Sequence, residues 1–141
     1  MMNQSSCKSP YLIIFLLLLS VGCDRLYSFD ITNMTNNDLA VKIKFNENYI
    51  NEYKFGDKSI EQILKLDLYN VEIESFDTIN YEITAKLKPK ESLSLVQRLH
   101  AKPSLSSIDK VEIEEKNQSI FEAGNATLNT LYNKSDVILI K

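Results

Sequence analysis

Residues 26–45 read LYSFDITNMTNNDLAVKIKF, and this stretch decides the fold class. Apolar side chains alternate with polar ones from 27 to 32 and again from 39 to 45. A period of two is typical of a β-strand with one buried face. The residues between them, 33–38, are rich in asparagine, a residue that tolerates left-handed backbone in turns. The stretch therefore predicts two half-buried strands, and we expect them to pair as an antiparallel hairpin.

The same alternation recurs along the rest of the chain. It covers residues 71–76, 81–87, 93–99, 108–113 and 118–121. Pro89-Lys90 marks a turn, and residues 108–121 are expected to form a second hairpin. A short element is expected around Leu128 and Leu131. Residues 137–140 are four consecutive apolar residues, which predicts a last strand buried on both faces. About eight short strands with turns between them indicate a mainly β fold, an antiparallel β-sandwich of the immunoglobulin-like type.

One stretch favours a helix. Within residues 58–66 apolar side chains recur at helical spacing, after a capping side chain at position 57 or 59. Leu64, Leu66 and Leu68 also alternate as strand residues would. A short helix over 58–66 and a further strand are both open interpretations.

Composition limits the class of protein. The 141 residues are 44% apolar and 25% charged, with three glycines and three prolines, which excludes a disordered or collagenous chain. The length suits one domain. The net charge of −3 argues against nucleic acid as a partner.

The first 23 residues differ from the rest. Lys8 precedes an apolar run over 11–21, and the run ends at Gly22 and Cys23. As a helix this run would span about 18 Å, well short of a hydrocarbon core of about 30 Å. A charged start, a short apolar run and a small residue before the end are typical of a secretory signal.

Residues 19–23, LSVGC, resemble the lipobox of bacterial lipoproteins. The resemblance implies that residues 1–22 are a signal peptide cut between Gly22 and Cys23. It also implies that the Cys23 thiolate, a good nucleophile, receives a diacylglyceryl group and that the new amino group is acylated. Residues 23–141 would then be a lipid-anchored β-sandwich domain. Ordinary signal cleavage nearby and an uncleaved apolar anchor are the alternatives.

Four segments of the domain are similar to small immunoglobulin-like lipoproteins of Bacteroidota-type bacteria. They are FDITN at 29–33, AVKIKF at 40–45, LKPKES at 87–92 and SIDKVEI at 107–113. The resemblance implies a cell-envelope protein of this fold. Asp24 follows the cysteine without a run of further acids, so we expect a periplasm-facing membrane leaflet, with surface exposure as the alternative.

No catalytic set is evident from the sequence. His100 is the one histidine, so a histidine-dependent triad or a zinc site lacks partners. The carboxylates of 72–77 and 112–115 lack calcium-loop spacing, and on strands they indicate a solvated face. The few glycines form no phosphate-binding loop. We therefore expect no enzyme activity, no metal and no cofactor.

Two features remain as candidate sites. Tyr49, Tyr53 and Phe55 form the densest aromatic group, which either makes a binding surface or covers one end of the core. Asp77-Thr78-Ile79 resembles the O-glycosylation motif of Bacteroidota, which makes Thr78 a candidate modification site.

These observations lead to one functional expectation and two rivals. We expect a lipid-anchored, non-enzymatic module that binds an envelope protein or polymer or serves as a structural accessory. The alternative is a small inhibitor or immunity-type lipoprotein that blocks a hydrolase or toxin through a loop. An enzyme that uses carboxylates alone is the third class, and it would need two acids about 5 to 10 Å apart in a cleft.

Overall fold

The computed structural model describes residues 25–52, 68 and 72–141. These residues form eight strands, numbered in chain order: β1 Leu26–Asn33, β2 Leu39–Phe45, β3 Glu72–Asp77, β4 Glu82–Leu87, β5 Ser92–Leu99, β6 Ile108–Glu115, β7 Gln118–Gly124 and β8 Val137–Ile140. They also form two helices, α1 Glu47–Glu52 and α2 Asn125–Lys134.

The strands form two sheets that share one core. One sheet has the order β5-β1-β8 and the other β3-β4-β2-β6-β7. Every strand pair is antiparallel except β1 with β8, which is parallel. Phe29 and Ile31 of β1 belong to the same buried cluster as Val41 and Ile43 of β2. The mainly β sandwich predicted from the alternation is confirmed.

The expected hairpin between β1 and β2 is wrong. β1 pairs with β5 and β8, whereas β2 pairs with β4 and β6, so the connection at 34–38 crosses from one sheet to the other. Both strands still bury their alternate apolar residues, but they do so by facing each other across the core. Alternation indicates which face of a strand is buried, and it does not determine which strand lies beside it.

Asn33 holds this crossing in place. Its side chain is fully buried, and its amide nitrogen Nδ2 donates to the carbonyl oxygens of Asn37 (2.8 Å) and Leu87 (3.0 Å). Its Oδ1 accepts from the backbone nitrogen (2.9 Å) and the hydroxyl (2.8 Å) of Thr35. One side chain therefore ties the end of β1 both to its own turn and to the end of β4 in the opposite sheet.

The prediction that residues 137–140 are buried on both faces is also wrong. β8 lies beside β1 as an edge strand in the described part of the sheet. Ile140 is buried, but Val137 is 37% and Leu139 49% exposed. A strand at the edge of a two-layer sandwich has one face on the core and one on the solvent, so four apolar residues do not require burial on both faces.

The second hairpin and the proline turn are confirmed. β6 and β7 pair antiparallel around Lys116 and Asn117, which have φ values of 50° and 64°. Two positive φ values are typical of a type I′ hairpin turn. At Pro89-Lys90, the backbone nitrogen of Glu91 donates to the Lys88 oxygen (3.1 Å), and Lys90 has φ 66°. This geometry fits a type II turn with proline in its usual place.

Neither of the two described helices was predicted as a helix from the sequence. The stretch 58–66 lies outside the described residues. The element expected around Leu128 and Leu131 is the helix α2, which buries Leu128 and Tyr132 against the core. The Tyr132 ring packs on Phe29, with ring centroids 4.8 Å apart. α2, which directly follows β7, therefore reaches β1 across the core through the Tyr132 ring.

The Tyr132 hydroxyl yields a testable prediction about stability. It is buried and has no hydrogen-bond partner among the described residues, and burial raises the pKa of this phenol above its ordinary value. An unsatisfied buried hydroxyl costs about 1–3 kcal/mol. Tyr132→Phe keeps the ring contact with Phe29, so we expect it to increase the free energy of unfolding by about 1 kcal/mol. Urea unfolding followed by circular dichroism measures the change, and a clear loss of stability would show that the hydroxyl has a partner.

The outer face of the five-stranded sheet carries paired charges, as the strand carboxylates predicted. Lys42 Nζ lies 2.6 Å from Glu114 Oε1, which raises the pKa of Lys42. Two further pairs are Lys88 with Glu72 (3.1 Å) and Lys110 with Glu122 (2.9 Å). Each pair joins neighbouring strands on a partly solvated surface, where such contacts contribute under about 1 kcal/mol. These acids are therefore part of a surface ion-pair network.

Candidate binding surface at the base of the sandwich

Tyr49 is the one residue of the predicted aromatic group that the structure describes, and it lies at one end of the sandwich. β1 begins and β5 ends there, and the end of β2 and the beginning of β6 lie at the same end. We call this end the base. The opposite end, with the connections 34–38, 88–91 and 116–117, we call the top.

Tyr49 is placed at the base by the short helix α1. Asn46 precedes the helix, and its Oδ1 accepts from the backbone nitrogens of Asn48 (2.9 Å) and Tyr49 (3.2 Å), as an N-cap does. Ile50, the next residue, is buried in the core and fixes the helix against the sheets. The Tyr49 ring is half-buried and packs against the core, so it covers the end of the core and also borders the surface.

A cavity of about 200 Å³ adjoins Tyr49. It is lined by Tyr49, Val96, Gln97, Arg98, Pro103, Ser104, Ser106 and Ser107. Arg98 is exposed at the end of β5, and the serines come from the loop before β6. Hydroxyl, amide and guanidinium groups dominate the lining, and it contains no carboxylate. This chemistry suits an anionic or hydroxyl-rich group, because a guanidinium donates several hydrogen bonds in a fixed plane.

A second cavity, of about 380 Å³, lies at the base of the five-stranded sheet. Its lining is Lys44, Phe45, Asn46, Glu47, Asn48, Ile79, Asn80, Tyr81 and Asp109. Positive and negative side chains are mixed here, so the cavity has no single electrostatic preference. The Tyr49 cavity has the more uniform chemistry of the two.

Thr78 lies in the turn that borders this second cavity. The turn is held by Asp77, whose Oδ1 accepts from the backbone nitrogens of Ile79 (2.9 Å) and Asn80 (3.0 Å). The pKa of Asp77 is lowered mainly because the backbone nitrogen of Asn80 donates a hydrogen bond to its carboxylate, and the Asn80 side chain adds to this effect. Thr78 is exposed and Ile79 is 86% exposed. The predicted modification site is therefore on the surface, and its glycosylation stays a prediction.

The other predicted positions are distributed as follows. Gly22, Cys23, Tyr53 and Phe55 lie outside the described residues. His100 is exposed just after β5, and its backbone nitrogen donates to the Arg25 oxygen (3.0 Å). Among the residues in view, no three histidine, cysteine or acidic side chains are arranged to hold a metal ion. No helix within 25–52 or 72–141 is long and apolar enough to cross a membrane.

Sequence reasoning missed Arg98 and the serines of the 100–107 loop. These residues come next to Tyr49 because the backbone nitrogen of Asn46 donates to the Ser107 oxygen (2.9 Å), which joins the start of α1 to the loop before β6. Asn46 and Ser107 are some sixty positions apart in the sequence, so no local motif predicts their contact. One feature of the composition could have drawn attention to Arg98, because Arg25 and Arg98 are the only arginines in a lysine-rich chain.

Comparison with known proteins gives no further lead: no protein family, curated protein or solved structure matches the chain.

Proposed function

We propose that the protein is a lipid-anchored, non-enzymatic binding module of the bacterial cell envelope, with its binding surface at the base of the sandwich. The observation that carries the proposal is the sequence LSVGC at 19–23, immediately before the first strand at Leu26. The acyl chains on Cys23 would hold the module at the membrane essentially permanently, because each methylene contributes about 0.8 kcal/mol and a triacylated cysteine carries three chains.

The position of β1 supports this arrangement. The backbone oxygen of Arg25, two residues after Cys23, accepts a hydrogen bond from the backbone nitrogen of His100 at the end of β5. Two extended residues span about 7 Å at most. An anchor on Cys23 would therefore place the base, and with it the Tyr49 cavity, directly at the membrane surface. The leaflet we propose is one that faces the periplasm.

Incorporation of labelled palmitate in the native host tests the anchor. Cys23→Ala removes the thiol that would carry the diacylglyceryl group, so we expect this variant to incorporate no label and to keep the length of the precursor. Cys7→Ala is the matched control, because it removes the other cysteine from the part that would be discarded. Label in the Cys23→Ala protein, or loss of label in both variants, would contradict the proposal.

A further inference from the structure

The Tyr49 cavity contains a buried serine whose hydroxyl the fold does not use. Ser107 is 3% exposed and lines the cavity. Its hydroxyl makes no hydrogen bond to another described residue. Within the described ranges, Tyr132 Oη is the only side-chain atom that is both sealed from solvent and without a partner, so the Ser107 hydroxyl is open to the cavity. Polar groups in buried positions are normally hydrogen-bonded, so this hydroxyl marks a place for a ligand atom.

The loop that carries this serine is fixed before any ligand arrives. Leu105 and Ile108 are fully buried, and the Asn125 amide nitrogen donates to the backbone oxygens of both at 2.7 Å. Ser104 and Ser106 line the same cavity, and Ser104 Oγ accepts from the backbone nitrogen of Ser106 (3.2 Å). A loop that is already ordered loses little conformational entropy on binding.

Arg98 carries the only charge in the lining of this cavity. Its guanidinium is exposed and forms no ion pair with an acid in the described part of the chain. A guanidinium presents parallel N–H donors that match the two oxygens of a carboxylate. It balances one negative charge, whereas a phosphate monoester carries about −1.5 to −2 at pH 7. The lining therefore fits a carboxylate better than a phosphate.

The acidic side chains at the same end of the sandwich lie outside this lining. Glu47 and Asp109 line the second cavity. Asp77 holds its own turn, and Glu82 is paired with Lys44 across β4 and β2. The base as a whole therefore has mixed charge, and its chemistry for binding an anion is confined to this one cavity. Such a site suits a single anionic group and not an extended anionic surface.

The size and the apolar part of the lining limit the ligand further. A volume of about 200 Å³ is below the range of about 300–1,000 Å³ that is typical of sites for a whole drug-sized molecule. The cavity therefore suits the end of a longer chain. Val96 and Pro103 are buried in its wall beside the half-buried Tyr49 ring, and they offer contact to a small apolar side chain. The lining contains no carboxylate, the usual acceptor for the hydroxyls of a sugar.

We infer that the Tyr49 cavity binds the C-terminal carboxylate of a peptide, an inference that rests on the proposed binding surface at the base and names the chemistry of its ligand. Arg98 donates to both carboxylate oxygens, and the Ser107 hydroxyl donates to one of them. The terminal side chain of the peptide lies against Tyr49 and Val96. Capture of a chain-end carboxylate is a known mode of peptide recognition.

Nuclear magnetic resonance tests this inference selectively, because two arginines give only two Nε–H signals. The full-length protein is labelled with ¹⁵N, purified in detergent micelles and titrated with N-acetyl-alanyl-alanine into the millimolar range. We expect the Arg98 signal to shift and to saturate. The Arg25 guanidinium lies over the Tyr27 ring, outside the cavity, so its signal should stay in place. Arg98→Lys assigns the signals, because one of the two disappears.

Three variants separate the ligand contacts from structural effects, with backbone amide signals of the 103–107 loop as the readout. Arg98→Gln removes the charge and should weaken binding at least about tenfold. Ser107→Ala should weaken binding about tenfold and leave the urea midpoint unchanged, because the hydroxyl has no partner in the fold. Arg25→Gln is the matched control and should bind as the unaltered protein does.

Three comparison ligands complete the test. The C-terminal amide of the same dipeptide keeps its shape and loses its charge, glucuronate carries a carboxylate on a sugar ring, and inorganic phosphate carries more charge. We expect each to bind more weakly than the dipeptide acid. No saturable shift at Arg98, equal binding of the amide, or tighter binding of glucuronate or phosphate would overturn the inference.

The proposed anchor fails or succeeds separately from this site. Palmitate on Cys23 is measured by its own labelling experiment, and its absence would leave the peptide titration unaffected. An acylated protein that does not bind the dipeptide acid would overturn only the inference about the cavity.

Discussion

Replacing Phe29 by alanine should lower the free energy of unfolding by about 3–5 kcal/mol, the largest effect we expect from a single substitution. Phe29 is fully buried at the centre of β1, and its ring packs on Tyr132 at a centroid distance of 4.8 Å. Removing the ring loses apolar burial and leaves a cavity between β1 and α2. A domain of this size has a total stability of about 5–15 kcal/mol, so the variant should lose a large part of its stability.

Urea unfolding followed by circular dichroism measures this loss. Ile120→Ala is a suitable control, because Ile120 is 45% exposed on β7 and its truncation leaves no enclosed cavity. We expect the control to cost under about 1 kcal/mol. If Phe29→Ala and Ile120→Ala lowered the free energy of unfolding by the same small amount, β1 would not pack against the core as described.

Asn33→Ala should cost about 2–4 kcal/mol, although asparagine is a polar residue at the end of a strand. Its side chain makes four hydrogen bonds at distances from 2.8 to 3.0 Å, and it is fully buried. Alanine would leave the Leu87 carbonyl without this buried donor and the backbone nitrogen of Thr35 without its acceptor. The loss should therefore exceed that of an ordinary surface hydrogen bond.

Asn36→Ala is the matched control for this prediction. Asn36 lies in the same connection between β1 and β2 and is exposed, so its replacement should change stability by no more than about 0.5 kcal/mol. Thermal and urea unfolding of both variants give the comparison. Equal stability of Asn33→Ala and Asn36→Ala would show that the crossing between the sheets does not depend on the Asn33 side chain.

The positions of the strands and the buried faces of β1 and β2 could be predicted from local sequence, whereas the partners of β1 and the exposed face of β8 could not. Alternation in 26–45 correctly identified the buried residues of both strands, because side chains on a strand alternate between faces wherever the strand lies. Pairing depends on contacts far along the chain, such as Leu26 with Leu99. Turns with strict backbone requirements, as at Pro89-Lys90, were predictable because their chemistry is local.

The helix α2 and the base surface show two different reasons for a missed prediction. Leu128, Leu131 and Tyr132 have helical spacing, so the information for α2 was present, but the stretch is short and polar elsewhere. Of the residues that line the Tyr49 cavity at the base, only Tyr49 could be identified as a candidate from the sequence. Arg98 reaches it through the fold, by strand pairing and by the contact between Asn46 and Ser107. No local pattern marks a surface that is assembled from such distant residues.

The central claim, that this sandwich is held at a membrane by Cys23, is tested most directly by the mass of the N-terminal peptide of the protein purified from its native envelope. We expect a peptide that begins at Cys23 and carries a diacylglyceryl group on sulfur together with acylation of the new amino group. A peptide that begins at Met1, or one that begins at or near Cys23 without acyl groups, would contradict it.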